Sequence, residues 1–344
     1  MYNQSAWLAK RVEAALEPGL PICDPHHHLW DHHVAFANRY LLDEFLADIG
    51  GGGGGGHNVV STVFLECEAF YRANVDETMA PVGEIEAING VAAMSASGLY
   101  GKTRVAAAMV GFADLRLGEA VGDVLAAEIQ AGGGRFRGVR HSSAHDPSGA
   151  IIGADGTNPN GDVFADATFR QGFGQLAPLN LSFDSWLYHP QIPELTDLAQ
   201  AFPETAIVLG HVGGPLGIGP YAGRRDEIFA TWARDMTALS ACANVHVKLG
   251  GLAMKLTGFG HHKLDQPPSS EILAGDWRPY LMHCIEAFGP ERCMFESNFP
   301  VDRASCAYTT LWNAFKHVTV DFSAADKAAL YHDTATRFYR IEES

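Results

Sequence analysis

The stretch Asp24-Pro25-His26-His27-His28-Leu29-Trp30-Asp31 follows a short apolar run, residues 20–23, near the N-terminus. The apolar run predicts a β-strand that carries imidazoles at its C-terminal end. Side chains alternate between the two faces of a strand, so His26 and His28 point the same way and His27 points to the other face. Two neutral imidazoles in this arrangement can hold one metal ion. A purification tag would lie at a terminus without an apolar strand before it, so we interpret these histidines as functional.

Short β-branched or apolar segments recur along the chain and alternate with helical patterns. The strand candidates are residues 20–28, 58–68, 104–111, 135–141, 179–187, 205–211, 244–250 and 292–298, and the clearest helix candidates are 79–97, 117–131, 193–201, 225–241 and 277–288. Alternation of strand and helix is typical of a parallel sheet with crossover helices, and eight repeats indicate an α/β fold closed into a (β/α)8 TIM barrel. A doubly wound open sheet is the alternative. It is disfavoured because the Gly-rich turn of nucleotide-binding sheets is missing after the first strand, where the histidines stand.

The composition favours small-molecule chemistry. The chain has 344 residues, an apolar fraction of 47% and a net charge of −16 at pH 7, which argues against a nucleic-acid groove and against anionic membrane surfaces. Its six cysteines include no Cys-x-x-Cys pair, and no apolar run has the length of a signal peptide or membrane span. We therefore expect a cytoplasmic protein with a small-molecule substrate and no nucleic-acid or membrane partner. The composition is compatible with a homodimer.

We expect a single domain over residues 1–344, a barrel with long loops on its C-terminal face. Residues 1–19 are predicted to form an N-terminal helical extension, and the seven consecutive glycines Gly50–Gly56 to form a flexible loop. Three irregular segments, 142–163, 212–224 and 251–276, follow the fourth, sixth and seventh strands, so they should lie on the face where barrel enzymes bind substrate. Ser323 is predicted to cap a terminal helix.

Charged side chains fall on the inward face of several predicted strands. In the second strand, alternation sends Glu66 and Glu68 towards the barrel axis and the apolar residues between and before them outward. The same rule places further polar residues inward or at a strand end, namely Arg140, Asp184, His211, Lys248, Glu296 and Asn298. Burying so many charges is costly unless they are paired or bind a ligand, which indicates a site. Buried ion pairs among Glu66, Lys248 and Asp184 explain part of the cluster equally well.

Three motifs in this order resemble the amidohydrolase superfamily. They are residues 24–30 (Asp-Pro-His-His-His-Leu-Trp), 208–215 (Val-Leu-Gly-His-Val-Gly-Gly-Pro) and 294–301 (Met-Phe-Glu-Ser-Asn-Phe-Pro-Val). The chain is most similar to the amidohydrolase-related branch with its lactonases, and less so to non-oxidative decarboxylases. The resemblance implies a (β/α)8 barrel in which His26, His28 and His211 bind a divalent metal, zinc before manganese, or contact substrate without metal as in some lactonases.

The third motif departs from the family pattern at two positions. Asn298 stands where the family usually has the Asp that handles the proton of the attacking water, and an amide cannot accept that proton at neutral pH. Glu296 stands where the family commonly has Gly. Either Glu68 or Glu296 could supply the missing carboxylate, and we predict Glu68, narrowly, as base or metal ligand.

The expected activity is hydrolysis of a small, carboxylated lactone or related carbonyl compound by activated water. The predicted catalytic residues are Glu68, Glu296, Asn298 and Lys248, and the predicted substrate-binding residues are Arg140, Asp184, His189, Arg224 and Trp30. Arg140 and Lys248 offer positive charge for an oxyanion or a substrate carboxylate. The alternatives are a decarboxylase or hydratase on the same site, a metal-independent lactonase, and a barrel that binds ligand without catalysis.

Overall fold

The computed structural model describes residues 4–32, 39–51, 55–151 and 161–342, in which eight parallel strands lie side by side in sequence order. The strands are β1 (Pro21–His27), β2 (Asn58–Leu65), β3 (Arg104–Gly111), β4 (Phe136–Ser142), β5 (Ser182–Trp186), β6 (Ile207–Leu209), β7 (Val245–Leu249) and β8 (Cys293–Phe295). This order confirms the predicted (β/α)8 barrel. It excludes the doubly wound sheet, in which the strand order reverses at a switch point.

Helices alternate with the strands and pack on the outside of the barrel. They are α1 (Gln4–Leu8), α2 (Leu42–Ile49), α3 (Val82–Ala96), α4 (Val121–Ala131), α5 (Ala167–Phe173), α6 (Ile192–Ala201), α7 (Arg225–Ser240), α8 (Ser270–Phe288), α9 (Tyr308–Val318), α10 (Ala324–Ala328) and α11 (Thr334–Phe338). The Ser323 hydroxyl accepts a hydrogen bond from the N–H of Asp326 at 3.1 Å, which confirms the predicted cap of a terminal helix. None of the helices in the described ranges combines the length and the apolar character needed to cross a bilayer.

The barrel closes where the chain beyond β8 meets the end of β1. His27 and Phe299 form a parallel bridge, and the N–H of Asn298 donates to the carbonyl of His26 at 2.9 Å. The N–H of Ser297 donates to Asp24 Oδ1 at 3.0 Å, which adds a side-chain contact to the same seam. Two of the three sequence motifs therefore meet at the C-terminal mouth of the barrel.

The alternation predicted for the second strand is wrong. Val63 and Leu65 pack inside the barrel in one apolar cluster with Tyr339, whereas Phe64 belongs to the cluster between strands and helices. The prediction placed Val63, Leu65 and Cys67 together on the side that faces the helices and continued the alternation through Glu68, but β2 ends at Leu65. Because Glu66 lies beyond the last ladder residue, its direction does not follow from the strand's period of two.

Within residues 4–19, the described part of the N-terminal extension, the helix covers only Gln4–Leu8, so the prediction of a helix through residue 19 is wrong. Pro18 and Gly19 disfavour a helix there. Contacts with the barrel hold the segment instead: Trp7 Nε1 donates to the carbonyl of Leu264 at 2.9 Å, and Leu16 N–H donates to a side chain of α9. Residues 1–3 of this extension, and residues 52–54 of the predicted glycine loop, lie outside the described ranges.

The C-terminal segment packs into the barrel. After α10 a π-helical turn, Ala329–Asp333, leads into α11, and the chain then carries Tyr339 inside. Tyr339 is fully buried, and its hydroxyl donates to Asp184 Oδ1 of β5 at 2.7 Å. A side chain encoded after all eight strands thus contacts the inner face of the barrel.

Candidate metal centre

The end of β1 presents three histidines in two directions. A register shift against β2 between Asp24 and His27 marks an irregularity in the strand. His27 faces outward, where it stacks on Phe45 with ring centroids 4.3 Å apart. His26 and His28 face the mouth, with their Nε2 atoms 3.2 Å apart, and His28 Nδ1 lies 2.9 Å from the carbonyl of Leu65. Both side chains are nearly inaccessible to solvent.

Glu296, in the third motif, contacts a histidine of the first motif and the histidine of the second. Its Oε2 lies 2.7 Å from His26 Nδ1, and its Oε1 lies 2.7 Å from His211 Nδ1. Oε1 also accepts a hydrogen bond from the backbone N–H of His211 at 2.9 Å. Because Glu296 is fully buried, the two imidazoles surround a carboxylate that has no access to water.

Unusual backbone at the end of β6 orients His211. His211 and Val212 have φ of +56° and +46°, in the left-handed region that costs an L-residue energy and that persists only when surrounding contacts enforce it. Trp232 Nε1 donates to the carbonyl of Val212 at 2.7 Å, and the ring of Trp186 stands edge-on to the His211 ring at 4.9 Å. The strained turn therefore places the imidazole beside Glu296.

Two glycines that the sequence reasoning missed make room for these side chains. A Cβ at Gly250 would lie 2.4 Å from Glu296 Cγ, and a Cβ at Gly251 would lie 2.5 Å from His211 Cβ. Gly251 also has a φ of +67°. The available signal was a Gly-Gly pair directly after the seventh strand, where a barrel places its site.

Arg140 lies beside the histidines at the mouth. Its Nε donates to Glu66 Oε1 at 2.6 Å, its Nη2 donates to the carbonyl of Glu66, and its Nη1 lies 3.5 Å from His26 Nε2. The Arg140 side chain keeps 15% of its surface exposed, so it retains some access to solvent. A cation in this position can bind an anionic group placed over His26.

Lys248 and Asp184 form a buried ion pair in the barrel. Lys248 Nζ donates to Asp184 Oδ1 at 2.7 Å, and the same oxygen accepts from Tyr339. Both charged side chains are at most 5% exposed. The alternative of a buried ion pair between Lys248 and Asp184 therefore describes their observed contacts. Because Asp184 already bonds Lys248 and Tyr339, these two residues would compete with any substrate for it.

The structure does not bring Glu68 into the cluster. Because β2 ends at Leu65, Glu68 sits in a turn with a φ of +62°, and its side chain is exposed. The expectation that it lies inward beside the first strand is wrong, since it extended the alternation of β2 three residues too far. The carboxylate that faces the histidines is Glu296.

The predicted substrate-binding residues do not form one cluster. Arg224 is exposed and pairs with Glu227 of α7, and its expected place in an anion site stays a prediction. His189 is buried, and its Nδ1 accepts from the N–H of Leu216. Trp30 is buried with its ring stacked towards His28 at a centroid distance of 6.3 Å. Of the set that included Arg140 and Asp184, Arg140 alone combines contact with His26 and exposure at the mouth.

Asn298, which stands where the family usually has Asp, makes a hydrogen bond with Asp302. Its Nδ2 donates to Asp302 Oδ1 at 2.9 Å, and both side chains are buried. Burial raises the pKa of Asp302 well above its usual value, and the bond from Asn298 opposes this. The amide Oδ1 remains an acceptor, which can orient a water molecule but cannot take its proton.

The cluster fits a divalent metal. His26, His211 and Glu296 each offer one donor atom within 4.8 Å of the others, and the described residues contain no other such group of His, Cys, Asp and Glu. Burial lowers the pKa of His26 well below its usual value, and the Lys248 cation acts in the same direction, so the imidazole is neutral. His26 Nδ1 and Glu296 Oε2 lack any hydrogen-bond partner among the described residues. Nitrogen and carboxylate donors of this kind suit zinc and also manganese.

Several known proteins are similar to this chain in sequence and in fold. The chain is 34% identical to the uncharacterized protein y4mH of Sinorhizobium fredii over 94% of this chain and 99% of that protein. It is 27% identical to an L-fucono-1,5-lactonase of Burkholderia ambifaria over 70% of this chain and 73% of that one. Among solved structures, an amidohydrolase from Burkholderia multivorans with bound zinc is 22% identical, with a TM-score of 0.69 over 93% of this chain and 99% of that one.

A more distant solved structure is a 5-carboxyvanillate decarboxylase from Novosphingobium aromaticivorans, complexed with manganese. It is 12% identical, with a TM-score of 0.55 over 96% of this chain and 99% of that one, a likeness that extends to the fold alone. The family model described as "Amidohydrolase" matches residues 23–341, which include most of β1, the other seven strands in full and all three motifs. The chain therefore belongs to the amidohydrolase family.

Proposed function

We propose that the protein is a metal-dependent hydrolase of a small lactone that carries a carboxylate. The observation that carries this proposal is the position of Arg140, whose Nη1 lies 3.5 Å from His26 Nε2 and whose side chain keeps 15% of its surface exposed. The cluster of His26, His211 and Glu296 supports the binding of a metal. Two curated relatives named L-fucono-1,5-lactonase, each 27% identical, support a lactone as the substrate. Their named substrate is a neutral sugar lactone, so the carboxylate rests on Arg140 alone.

Different residues at the mouth of the barrel serve different steps of lactone ring opening. A divalent metal held by the cluster would polarise the lactone carbonyl and make water a stronger nucleophile at neutral pH. Arg140 binds the substrate carboxylate and orients the ring over His26, because a guanidinium fits a carboxylate in two parallel hydrogen bonds. Asn298 Oδ1 accepts a hydrogen bond from the attacking water and fixes its direction.

Glu66 is the proposed proton acceptor. It is an ionisable side chain next to Arg140 at the mouth, with 10% of its surface exposed, whereas Glu296 is enclosed by two imidazoles. An acceptor must lie within hydrogen-bond reach of the water, directly or through one further water. Glu66 can later return the proton to the leaving alkoxide.

The test is a panel of lactones assayed for acid release, with matched neutral and carboxylated members. Arg140→Lys should raise KM for carboxylated lactones by about 10–150-fold, because one charge-assisted hydrogen bond contributes about 1.5–3 kcal/mol, and should leave neutral lactones unchanged. Arg224→Gln, at an exposed arginine paired with Glu227, is the matched control and should change neither. Equal loss on both substrate classes would refute the carboxylate, and release of carbon dioxide without ring opening would make the protein a decarboxylase.

A further inference from the structure

A buried carboxyl group of α3 binds the backbone of the turn after β2, residues 66–70. Glu84 lies in the first turn of α3 and is fully buried. Its Oε1 accepts a hydrogen bond from the N–H of Cys67 at 3.0 Å and another from the N–H of Ala69 at 2.9 Å. Both donors lie beyond Leu65, the last residue of β2, so a side-chain oxygen takes the place that a neighbouring strand holds along β2.

The turn needs such contacts because its backbone is strained. Glu68 and Phe70 have φ of +62° and +59°, in the left-handed region that L-residues adopt only when surrounding contacts enforce it. The N–H of Ala69, which Glu84 binds, lies between them. The start of α3 packs directly on the turn, since a Cβ at Gly83 would lie 2.5 Å from the carbonyl oxygen of Phe70. Glu84 is therefore one of the groups that hold the turn in this conformation.

A single peptide group connects Glu84 to Arg140. The peptide bond between Glu66 and Cys67 donates its N–H to Glu84 Oε1. Its carbonyl oxygen accepts a hydrogen bond from Arg140 Nη2. Because a peptide group is planar, this carbonyl cannot turn unless the N–H moves as well. The direction of the guanidinium therefore depends on a carboxyl group on the other side of the peptide.

We propose that Glu84 is a positioning residue: it fixes the peptide group that orients Arg140 towards a substrate carboxylate. Arg140 makes its other contacts at the mouth, where Nε donates to Glu66 Oε1 at 2.6 Å and Nη1 lies 3.5 Å from His26 Nε2. Because Glu84 is fully buried, it acts through the peptide and does not touch substrate. The inference rests on the carboxylate-binding role of Arg140 in the proposed function.

Glu128 of α4 offers a matched control. It is also fully buried, and neither of its carboxyl oxygens has a hydrogen-bond partner among the described residues. Burial raises the pKa of Glu84 to about 8 and the pKa of Glu128 well above its usual value, so both groups are mostly protonated near pH 7. Glutamine is therefore the closest mimic of Glu84, because it keeps an oxygen acceptor and carries no charge. Methionine has a similar length and lacks the oxygen.

The test measures KM and kcat on matched carboxylated and neutral lactones for variants of the full chain. Glu84→Met removes the acceptor and should raise KM for carboxylated lactones by about 10–100-fold, because a displacement of about 1 Å costs a factor of this order. KM for neutral lactones should stay within a few-fold of wild type. The same holds for kcat, since the N–H of Glu66 is held separately by the carbonyl of Val110 at 2.9 Å. Glu84→Gln and Glu128→Met should both behave like wild type.

Hydrogen exchange measures the same contact without turnover. In Glu84→Met the amides of Cys67 and Ala69 should lose protection, whereas Glu84→Gln and Glu128→Met should keep it. Glu84→Asp is the milder variant for the case that Glu84→Met does not fold. Its shorter side chain withdraws the acceptor, so the same two amides should lose protection and the same KM should rise.

An unchanged KM for carboxylated lactones in a variant that has lost amide protection would overturn the inference and leave the proposed function standing. An equal rise in Glu128→Met, or in Glu84→Gln, would overturn it too, because the effect would then follow from the loss of a buried acid group. Wild-type protein that opens no lactone would refute the proposed function. A crystal structure of Glu84→Met or Glu84→Asp would then decide the inference, which requires the Arg140 guanidinium to leave the Glu66 carbonyl and is overturned if the guanidinium stays in place.

Discussion

Replacing Gly250 by alanine tests whether the space behind Glu296 is needed for the site. The added Cβ would lie 2.4 Å from Glu296 Cγ and 2.6 Å from the Glu296 carbonyl oxygen. Ordinary contacts begin near 3.4 Å, so either the methyl group or the carboxylate has to move by about 1 Å. The backbone at Gly250 has no positive φ, so the effect is one of volume and not of backbone strain.

A displacement of this size should be visible in three measurements. A misplacement of about 1 Å in a catalytic constellation costs about 100-fold in rate, so we expect a comparable loss in kcat/KM for lactone hydrolysis. Zn²⁺ affinity should fall in parallel, because Glu296 lies within donor distance of His26 and His211. Overpacking should lower the free energy of unfolding by about 1–3 kcal/mol, measured by urea titration.

The matched control is Gly90→Ala, at an exposed position of α3 where an added Cβ meets nothing within 4 Å. It should leave metal affinity and turnover unchanged and stabilise the protein by about 0.5–1 kcal/mol, the gain of alanine over glycine inside a helix. Wild-type metal affinity and turnover in Gly250→Ala would show that Glu296 can move without consequence. The reasoning that ties its position to the site would then be wrong.

Three further changes test the buried charges. Lys248→Met leaves Asp184 unpaired in the barrel and should lower the free energy of unfolding by about 3–5 kcal/mol, and Lys248→Met/Asp184→Asn should recover much of it in the same urea titration. Tyr339→Phe removes one hydrogen bond to Asp184 and should cost about 1–2 kcal/mol; no change would mean that the bond is dispensable. Burial and repulsion from Glu66 raise the pKa of Glu84 from 4.5 to about 8, so its contribution to stability is full below pH 4.5 and is lost as the pH rises through 8. Glu84→Gln should therefore flatten the fall in melting temperature between pH 5 and pH 8, and a slope equal to wild type would contradict the assignment.

The fold was predictable because it depends on periodicity that is local in the sequence. Each predicted strand overlaps one of the eight observed strands, and β3 matches at both ends. His26 and His28 share a direction, as the period of two requires, and His211 lies where a strand-end histidine should lie. The parallel order of the barrel then brings motifs separated by nearly 300 residues to one mouth.

The rest depended on where elements end, which the sequence marks poorly. Glu68 was misplaced because apolar residues still alternate with charged ones through Cys67, whereas β2 stops at Leu65. Arg224 pairs with Glu227, a contact that nothing in the sequence of its loop marks. The space provided by Gly250 is defined by the side chain of Glu296 on another strand, a contact that periodicity cannot reveal.

Because Tyr339 contacts Asp184, the interior of the barrel can be completed only after Tyr339 has been synthesised. During synthesis all eight strands and the metal-centre residues leave the ribosome before Tyr339 does. Until it arrives, Asp184 lacks one of its two hydrogen-bond donors, and the inner apolar cluster lacks the C-terminal residues that complete it. A nascent chain stalled after β8 would therefore hold an incomplete barrel interior, so completion of the barrel depends on a segment that is translated after all eight strands.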